Sequence, residues 1–254
     1  AAILGRWLMH HGFKVAVLAQ PDWRNVDAWR ELGAPRLFYA VSAGAMDSMI
    51  NHYTANRKRR NADAYSPGGE IGRRPDRANA VYAQRCREAF KGVPVVAGGV
   101  EASLRRVSHY DYWSEKVLPS SLVSSKADLV AFGTGERTIL KIAEGLARGE
   151  SIRDLRKLRG VAYLLGKKES LAEDHDFAGS NDRQSIELPS HEDVSRDPVA
   201  FARATRLLHR ETNPLNARRL IQLHGDRRVV INPPPHGLSE SEMDAVHALP
   251  YTRK

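Results

Sequence analysis

The protein has 254 residues, of which 42% are hydrophobic, so it is long enough for one large or two small globular domains. Its longest apolar stretches, such as residues 15–19 and 93–97, fall far short of the ~20 residues of a membrane-spanning helix. The single cysteine, Cys86, excludes an intrachain disulfide and suits a reducing compartment. We therefore expect a cytoplasmic globular protein.

Charge is unevenly distributed along the chain. The whole sequence has 39 Lys and Arg against 30 Asp and Glu, a net charge of +9. Residues 55–91 hold ten basic side chains against four acidic ones, whereas residues 169–197 hold nine acidic side chains against two basic ones. The two blocks can pair with or screen each other, so a polyanionic partner does not follow from the net charge alone.

The first half of the chain alternates predicted helices and strands. Residues 1–11 have an apolar stripe of helical period that ends at Gly12, and no initiator Met precedes them, so we expect a truncated sequence. The other elements predicted in this half are strands at 14–20, 37–42, 93–97 and 128–132 and helices at 26–32, 77–90 and 136–147. This alternation predicts an α/β domain with a doubly wound, mostly parallel sheet.

Less regular segments interrupt and follow this alternation. Residues 61–75 combine turn-forming residues with scattered charge and predict a long mobile loop. Residues 161–165 predict an edge strand or the start of a hairpin, and the acidic residues after them predict a linker. Beyond the linker we predict helices at 198–211 and 215–224, a strand at 228–232 and a helix at 239–247, whose Ser239 and Glu242 fit a capping box.

Two glycine-rich turns follow predicted strands, which is where ligands bind in open α/β sheets. The candidate cofactor contacts are Gly98, Gly99 and Glu101 in the first turn and Gly133, Gly135 and Glu136 in the second. Glycine lets a backbone approach a ligand closely, and a helix N-terminus receives anions. Neither turn has a complete nucleotide-binding motif, so the alternative, that these glycines only permit tight turns, stays open.

Residues 101–113 concentrate charged and aromatic side chains directly after a predicted strand. Either Arg105 or Arg106 would hold a carboxylate or phosphate through two hydrogen bonds, and His109 would pair with Asp111. We predict these four residues as substrate contacts. The alternative is a loop whose polar groups satisfy one another.

The basic run at residues 57–60 suggests a different class of function. Together with Arg73, Arg74 and Arg77 it would contact the phosphates of RNA or another polyanion, although a solvated surface run is the other interpretation. The histidines and acids show no metal-site spacing, so we expect no metal site. Cys86 lies on the apolar stripe of its predicted helix and is interpreted as a packed side chain.

Longer strings of the sequence resemble one known family. They are AQPDW at 19–23, SAGAMDSMINHYTANRK at 42–58, RPDRANAVYAQRCREA at 74–89, GGVEASLRRVSHYDYW at 98–113, FGTGER at 132–137, HRETNP at 209–214, HGDRRVVINPP at 224–234 and MDAVHALPYTR at 243–253. In this order they resemble the N-terminal region of the YgiQ-type radical SAM proteins. The acidic linker matches least.

The resemblance implies a domain organisation. Residues 1–166 would form a Rossmann-like domain, similar to cobalamin-binding domains, with its first strand missing. Residues 167–197 would be an acidic linker or insertion, and residues 198–254 a smaller helical or α+β extension. A radical SAM core would follow, outside this chain, and would be its partner.

The resemblance also implies a function. The full-length protein would be a radical SAM enzyme with a [4Fe-4S] cluster and S-adenosylmethionine, and this chain would cap or shape the substrate site of its core. The chain alone would be inactive, because one cysteine cannot hold the cluster. Cobalamin binding stays open, and a basic module that binds RNA is the rival hypothesis.

Overall fold

The computed structural model describes residues 1–171 and 185–252. Its helices are α1 (Ala2–His10), α2 (Asp27–Arg30), α3 (Ser48–His52), α4 (Ala78–Ala89), α5 (Gly99–Leu104), α6 (Ser121–Ser125), α7 (Gly135–Ala147), α8 (His191–Arg196), α9 (Pro198–Arg210) and α10 (Glu240–His247). Its strands are β1 (Tyr39–Ser42), β2 (Val95–Gly98), β3 (His109–Asp111), β4 (Lys116–Leu118), β5 (Leu129–Ala131), β6 (Val161–Leu165), β7 (Ile186–Leu188), β8 (Leu220–His224) and β9 (Arg227–Ile231). None of the helices in these two ranges is long and apolar enough to cross a membrane.

Seven strands form one mixed sheet in the order β1-β2-β5-β6-β9-β8-β7, and β3 pairs with β4 in a separate hairpin. The pairs β1–β2, β2–β5 and β7–β8 are parallel, whereas β5–β6, β6–β9 and β8–β9 are antiparallel. The prediction of an α/β fold is confirmed, but the prediction of a mostly parallel sheet is wrong.

The antiparallel half has two physical causes. Residues 148–160 return the chain to the edge of the sheet at which β5 ends. There the Phe132 amide donates to the Gly160 carbonyl at 2.9 Å. Because β6 starts at this same edge, it runs antiparallel to β5. β8 and β9 are joined by the two-residue turn of Gly225 and Asp226, and a hairpin makes its strands antiparallel.

Helices cover both faces of the sheet, as the doubly wound prediction requires. In β2, Val95 packs with Cys86 of α4 on one face, and Val96 packs with Ile142 of α7 on the other. Successive side chains of a strand point to opposite faces, which explains this alternation. A smaller cluster attaches α10 to α1 through Val246 and Trp7.

One strand prediction is wrong and another is right only in part, because the pairing partners of a segment decide whether and where it forms a strand. Residues 14–20 form no strand, and Val17 is 66% exposed, since the only described neighbour of β1 in the sheet is β2. Residues 161–165 form a strand but not at an edge. β6 is the fourth of seven strands, and Val161, Ala162 and Tyr163 are buried on both faces.

The helix predicted at residues 215–224 is also wrong, because its second half is strand β8. β8 pairs with β9 on one side and β7 on the other. Gln222 is buried within it, and its amide is satisfied by the Ser108 amide at 2.8 Å and the Pro189 carbonyl at 3.0 Å. A buried strand that contains a polar side chain does not look apolar in the sequence, because the hydrogen-bond partners of that side chain come from distant segments.

The predicted linker, residues 167–197, contains regular structure at its C-terminal end. β7 joins the main sheet, and α8 begins with a capping box of Ser190 and Asp193. The acidic residues Glu173, Asp174, Asp176 and Asp182 lie outside the described residues. Strands from residues 1–166 and from residues 198–254 share one sheet, and the division into domains stays a prediction.

The helices with strong local signals are confirmed close to their predicted bounds. These are α1, α4, α7, α9 and α10. The capping box of Ser239 and Glu242 at the start of α10 is present as predicted.

Ile142 of α7 provides a test of the core. It is completely buried among Leu129, Val161 and Tyr163. We expect Ile142→Ala to lower the free energy of unfolding by about 2–5 kcal/mol, because it removes apolar contacts and leaves a cavity. Urea denaturation measures this change. The exposed Ile3→Ala of α1 is the control and should change the free energy by less than about 0.5 kcal/mol.

Candidate functional site at the carboxyl edge

The parallel strands β1, β2 and β5 end at one edge of the sheet, which we call the carboxyl edge. β1 ends at Ser42 and β2 at Gly98. Gly99 has a φ of +78°, and an added Cβ would lie 2.7 Å from the Ser42 Oγ. Only glycine suits that conformation and that space. The first predicted turn therefore packs directly against the end of β1.

The second predicted turn is flanked by the chain's own apolar side chains. Gly133 has a φ of +77°, and an added Cβ would lie 3.0 Å from Pro235, while a Cβ on Gly135 would lie 3.3 Å from Leu4. Glu136 lies in the first turn of α7, where the helix dipole stabilises a negatively charged carboxylate. These contacts give the three residues a structural role, and their contact with a cofactor stays a prediction.

Glu101 connects three helices at the carboxyl edge. It is only 2% exposed on α5. Its Oε2 accepts hydrogen bonds from the Ser48 amide at 2.8 Å and the Ser48 hydroxyl at 2.6 Å, and its Oε1 accepts one from the Asn79 amide at 2.9 Å. The Asn79 side chain in turn donates to the Gly98 carbonyl. Glu101 thus fixes the starts of α3 and α4 against the end of β2.

Arg105 is held by an acidic partner that the sequence did not indicate. Its guanidinium lies 2.7 Å from the Asp47 carboxylate. The other oxygen of Asp47 caps α3 by accepting from the amides of Met49 and Ile50. Arg105 therefore positions α3, and this pairing occupies the guanidinium that was predicted to hold a substrate anion.

His109 and Asp111 do not form the predicted pair. The Asp111 carboxylate accepts from Arg77 at 2.8 Å and from the amide and hydroxyl of Ser114. Burial opposes ionisation of Asp111, but these hydrogen bonds outweigh it and lower its pKa. His109 Nδ1 lies 3.2 Å from the Val107 carbonyl, and burial lowers the pKa of this imidazole.

A buried ion pair anchors the loop at residues 61–75, which was predicted to be mobile. Arg74 donates to both oxygens of Asp63 at 3.0 and 3.2 Å, and it also donates to the Ala43 carbonyl at 2.9 Å. Burial opposes ionisation of Asp63, but hydrogen bonds from the Tyr65 amide and Arg74 outweigh it and lower its pKa to about 2. The loop is irregular, yet Asp63 and Arg74, near its two ends, are joined to each other and held beside the end of β1.

The structure brings together a histidine and an aspartate that the sequence analysis missed. His52 Nδ1 lies 2.9 Å from Asp76 Oδ1, and the Tyr53 hydroxyl donates to Asp76 Oδ2 at 2.8 Å. The His52 Nε2 is buried and has no partner among the described residues. The only sequence signal was the position of both residues within family-like strings, because 24 residues separate them.

The residues of this chain do not fit the [4Fe-4S] cluster of radical SAM enzymes. Such clusters are held by several Cys thiolates, and Cys86 is the only cysteine in the sequence. It is buried on α4, and burial raises its thiol pKa to about 12. Within residues 1–171 and 185–252 there is no group of three or more His, Cys, Asp or Glu that could hold a metal ion.

Comparison with known proteins identifies the class of protein to which this chain belongs. Residues 1–254 match the family model described as Radical SAM N-terminal. The chain therefore belongs to the radical SAM N-terminal family, which confirms the resemblance found in its sequence strings. No solved structure matches it.

Its relatives are more specific. The chain is 52% identical to a UPF0313 protein of Rhodopseudomonas palustris and 54% identical to one of Bradyrhizobium diazoefficiens, in each case over 99% of this chain and 39% of the relative. It is 46% identical to the UPF0313 protein YgiQ of Escherichia coli, over 99% of this chain and 40% of the relative. It thus corresponds to the N-terminal region of the UPF0313 radical SAM proteins and spans about two fifths of their length.

Glu101 allows a test of structural against ligand-binding roles. We expect Glu101→Gln to lower the free energy of unfolding by about 1.5–3 kcal/mol, because the new amide would face an N–H or O–H donor where the carboxylate accepted a bond. Urea denaturation measures the change. Glu136→Gln, which alters only a helix dipole contact, should cost at most about 1 kcal/mol. Equal and small effects of both changes would argue that Glu101 is free to contact a cofactor.

Asp63 predicts a pH dependence of stability. Its folded pKa, about 2, lies below the ordinary value of 3.8, so its contribution is complete above that value and is lost as the pH falls toward 2. Asp63→Asn leaves Arg74 buried without its partner and should cost about 3–5 kcal/mol at neutral pH. The difference in the free energy of unfolding between Asp63→Asn and the wild type should become smaller as the pH falls from 4 to 2, as measured by urea denaturation. The exposed Asp22→Asn serves as control.

Proposed function

We propose that this chain forms one wall of the substrate site in a radical SAM enzyme, with its carboxyl edge docked on the remainder of the protein. The cluster and S-adenosylmethionine belong to that remainder in this proposal, since this chain has a single cysteine. The relatives are about two and a half times as long as this chain, which leaves ample length for a catalytic core.

Exposed apolar side chains at the carboxyl edge carry the proposal. They are Ile50 on α3, Val100 and Leu104 on α5 and Tyr110 on β3, each 48–58% exposed. The elements that bear them are fixed to one another, because Glu101 of α5 bonds Ser48 of α3 and the Tyr112 hydroxyl donates to the Met49 carbonyl. A concentration of large apolar side chains on a rigid surface indicates an interaction site.

The polar groups behind this surface support the same role. Arg74, Arg77 and Arg105 are each paired with a carboxylate within 3.0 Å. Such a network holds the helices and loops in fixed positions, which is what the wall of a substrate site requires. The predicted contacts of Gly98, Gly99 and Glu101 are then indirect, since these residues shape the wall.

The rival hypothesis of an RNA-binding module gains no support from the ion pairs of its residues. Four of its seven cations have acidic partners: Arg57 with Glu115, Arg73 with Glu70, Arg74 with Asp63 and Arg77 with Asp111. Paired cations release fewer counterions from a nucleic acid. Polyanion binding and cobalamin binding stay predictions, and we propose neither.

Leu104 provides the test in a full-length protein that includes the remainder. Fully burying a leucine stabilises by about 1.5–3 kcal/mol, and 1.4 kcal/mol corresponds to a factor of ten. We therefore expect Leu104→Asp to increase amide hydrogen exchange in α5 and in the β3–β4 hairpin by about tenfold or more, and to reduce reductive cleavage of S-adenosylmethionine.

The matched control is Val199→Asp on α9, where the wild-type side chain is 74% exposed. It should leave both measurements unchanged. Equal exchange in α5 for the full-length protein and for the 254-residue chain would contradict the proposal, because an undocked surface gains no protection.

A further inference from the structure

Arg106 differs from its arginine neighbours at the carboxyl edge. Arg74, Arg77 and Arg105 each have a carboxylate partner. Arg106 forms no ion pair with any residue of the described ranges, although it follows Arg105 directly in the chain. The sequence left open which of these two would bind an anion, and Arg105 already has the Asp47 carboxylate as its partner.

The contacts of Arg106 leave most of its hydrogen-bonding capacity unused. Its guanidinium carbon lies 4.7 Å from the centre of the Phe132 ring, and its Nη1 donates to the Ser103 carbonyl. Its Nε is buried and has no partner among the described residues. A guanidinium has five N–H donors, so one carbonyl bond leaves the fork almost free.

Arg159 shows what a satisfied arginine without a carboxylate looks like in this protein. Its Nε donates to the Pro234 carbonyl at 3.0 Å and its Nη2 to the Pro214 carbonyl. Within residues 1–171 and 185–252, Arg106 has no second carbonyl of this kind. Burial of the Arg106 charge is therefore compensated by fewer hydrogen bonds than burial of Arg159, although desolvation lowers the pKa of both arginines.

The position of Arg106 matches a ligand contact. It follows α5, which starts at the end of β2, and it lies on Phe132, the residue after β5. Ligands of open α/β sheets bind outside these strand ends. A carboxylate or phosphate would accept two parallel hydrogen bonds from the guanidinium fork and would neutralise its charge.

We infer that Arg106 binds an anionic group, a carboxylate or a phosphate, at the carboxyl edge. This inference rests on the proposed function, because the wall of a substrate site gives the anion its place. Two sources offer the same chemistry: a free ligand such as the substrate, or an acidic side chain of the remainder of the protein.

The first experiment uses inorganic phosphate as the probe on the 254-residue chain. Thermal unfolding is followed while phosphate replaces chloride at constant ionic strength. A site in the folded state gives a saturable rise in the melting temperature. The rise should be absent in Arg106→Met and intact in Arg148→Gln, which removes an exposed arginine paired with Glu150.

Arg106→Met also separates a binding role from a structural one. Methionine keeps an apolar stem over Phe132 and removes the uncompensated charge. Without phosphate, the variant should therefore melt at the same temperature as wild type or higher. An arginine that serves only the fold would give a lower melting temperature. Such a decrease, or a phosphate response equal to that of wild type, would overturn the inference.

The second experiment distinguishes the source of the anion in the full-length protein. If phosphate still raises the melting temperature through Arg106, the ligand is free. If phosphate has no effect but Arg106→Met increases hydrogen exchange in α5, an acidic side chain of the remainder is bound. If neither occurs, the inference fails, while the Leu104 exchange experiment still decides the proposed docking independently.

Discussion

The buried carboxylate of Glu101 is the interaction on which the carboxyl edge depends. A charge can be removed from water only where hydrogen bonds replace its hydration, and Glu101 obtains them from Ser48 and Asn79. These partners start two other helices, so the requirement of one side chain fixes α3, α4 and α5 together. The glycine at position 99 contributes by letting α5 approach the end of β1 closely.

The same electrostatic rule organises the surrounding polar residues. Asp47, Asp63 and Asp111 each neutralise one arginine and at the same time cap a helix or hold a turn. A network in which each charge has a partner is rigid, and it leaves few groups for recognition. In the proposals made above, recognition falls to the exposed apolar side chains of α3 and α5 and to Arg106, whose charge the network does not neutralise. The edge thus contains polar residues that pair with one another and a smaller set of residues that the network leaves unpaired or exposed.

The sequence predicted the position of residues 98–111 in the fold better than it predicted which side chains pair with each other. Residues 98–111 do follow β2 at the carboxyl edge, as their position after an apolar run required. The expected pairing of His109 with Asp111 is replaced by Arg77 with Asp111, and the pair of His52 and Asp76 gave no local signal. These two pairs join residues 24 and 34 positions apart, so they depend on how the helices are placed, which local spacing does not encode.

The sequence by itself determined the α/β alternation, the helices α1, α4, α7, α9 and α10 with the cap of α10, and the lack of cysteines for an iron–sulfur cluster. The family was indicated by the resemblance of its longer strings. Helical period and capping depend on residues a few positions apart, so a single chain segment contains all the information that predicts a helix. Only the tertiary structure decided that β6 is central and antiparallel, that residues 220–224 are a strand and that residues 14–20 are not. The hydrogen bonds of a strand are made to segments far away in the chain, so neighbours in space decide its state.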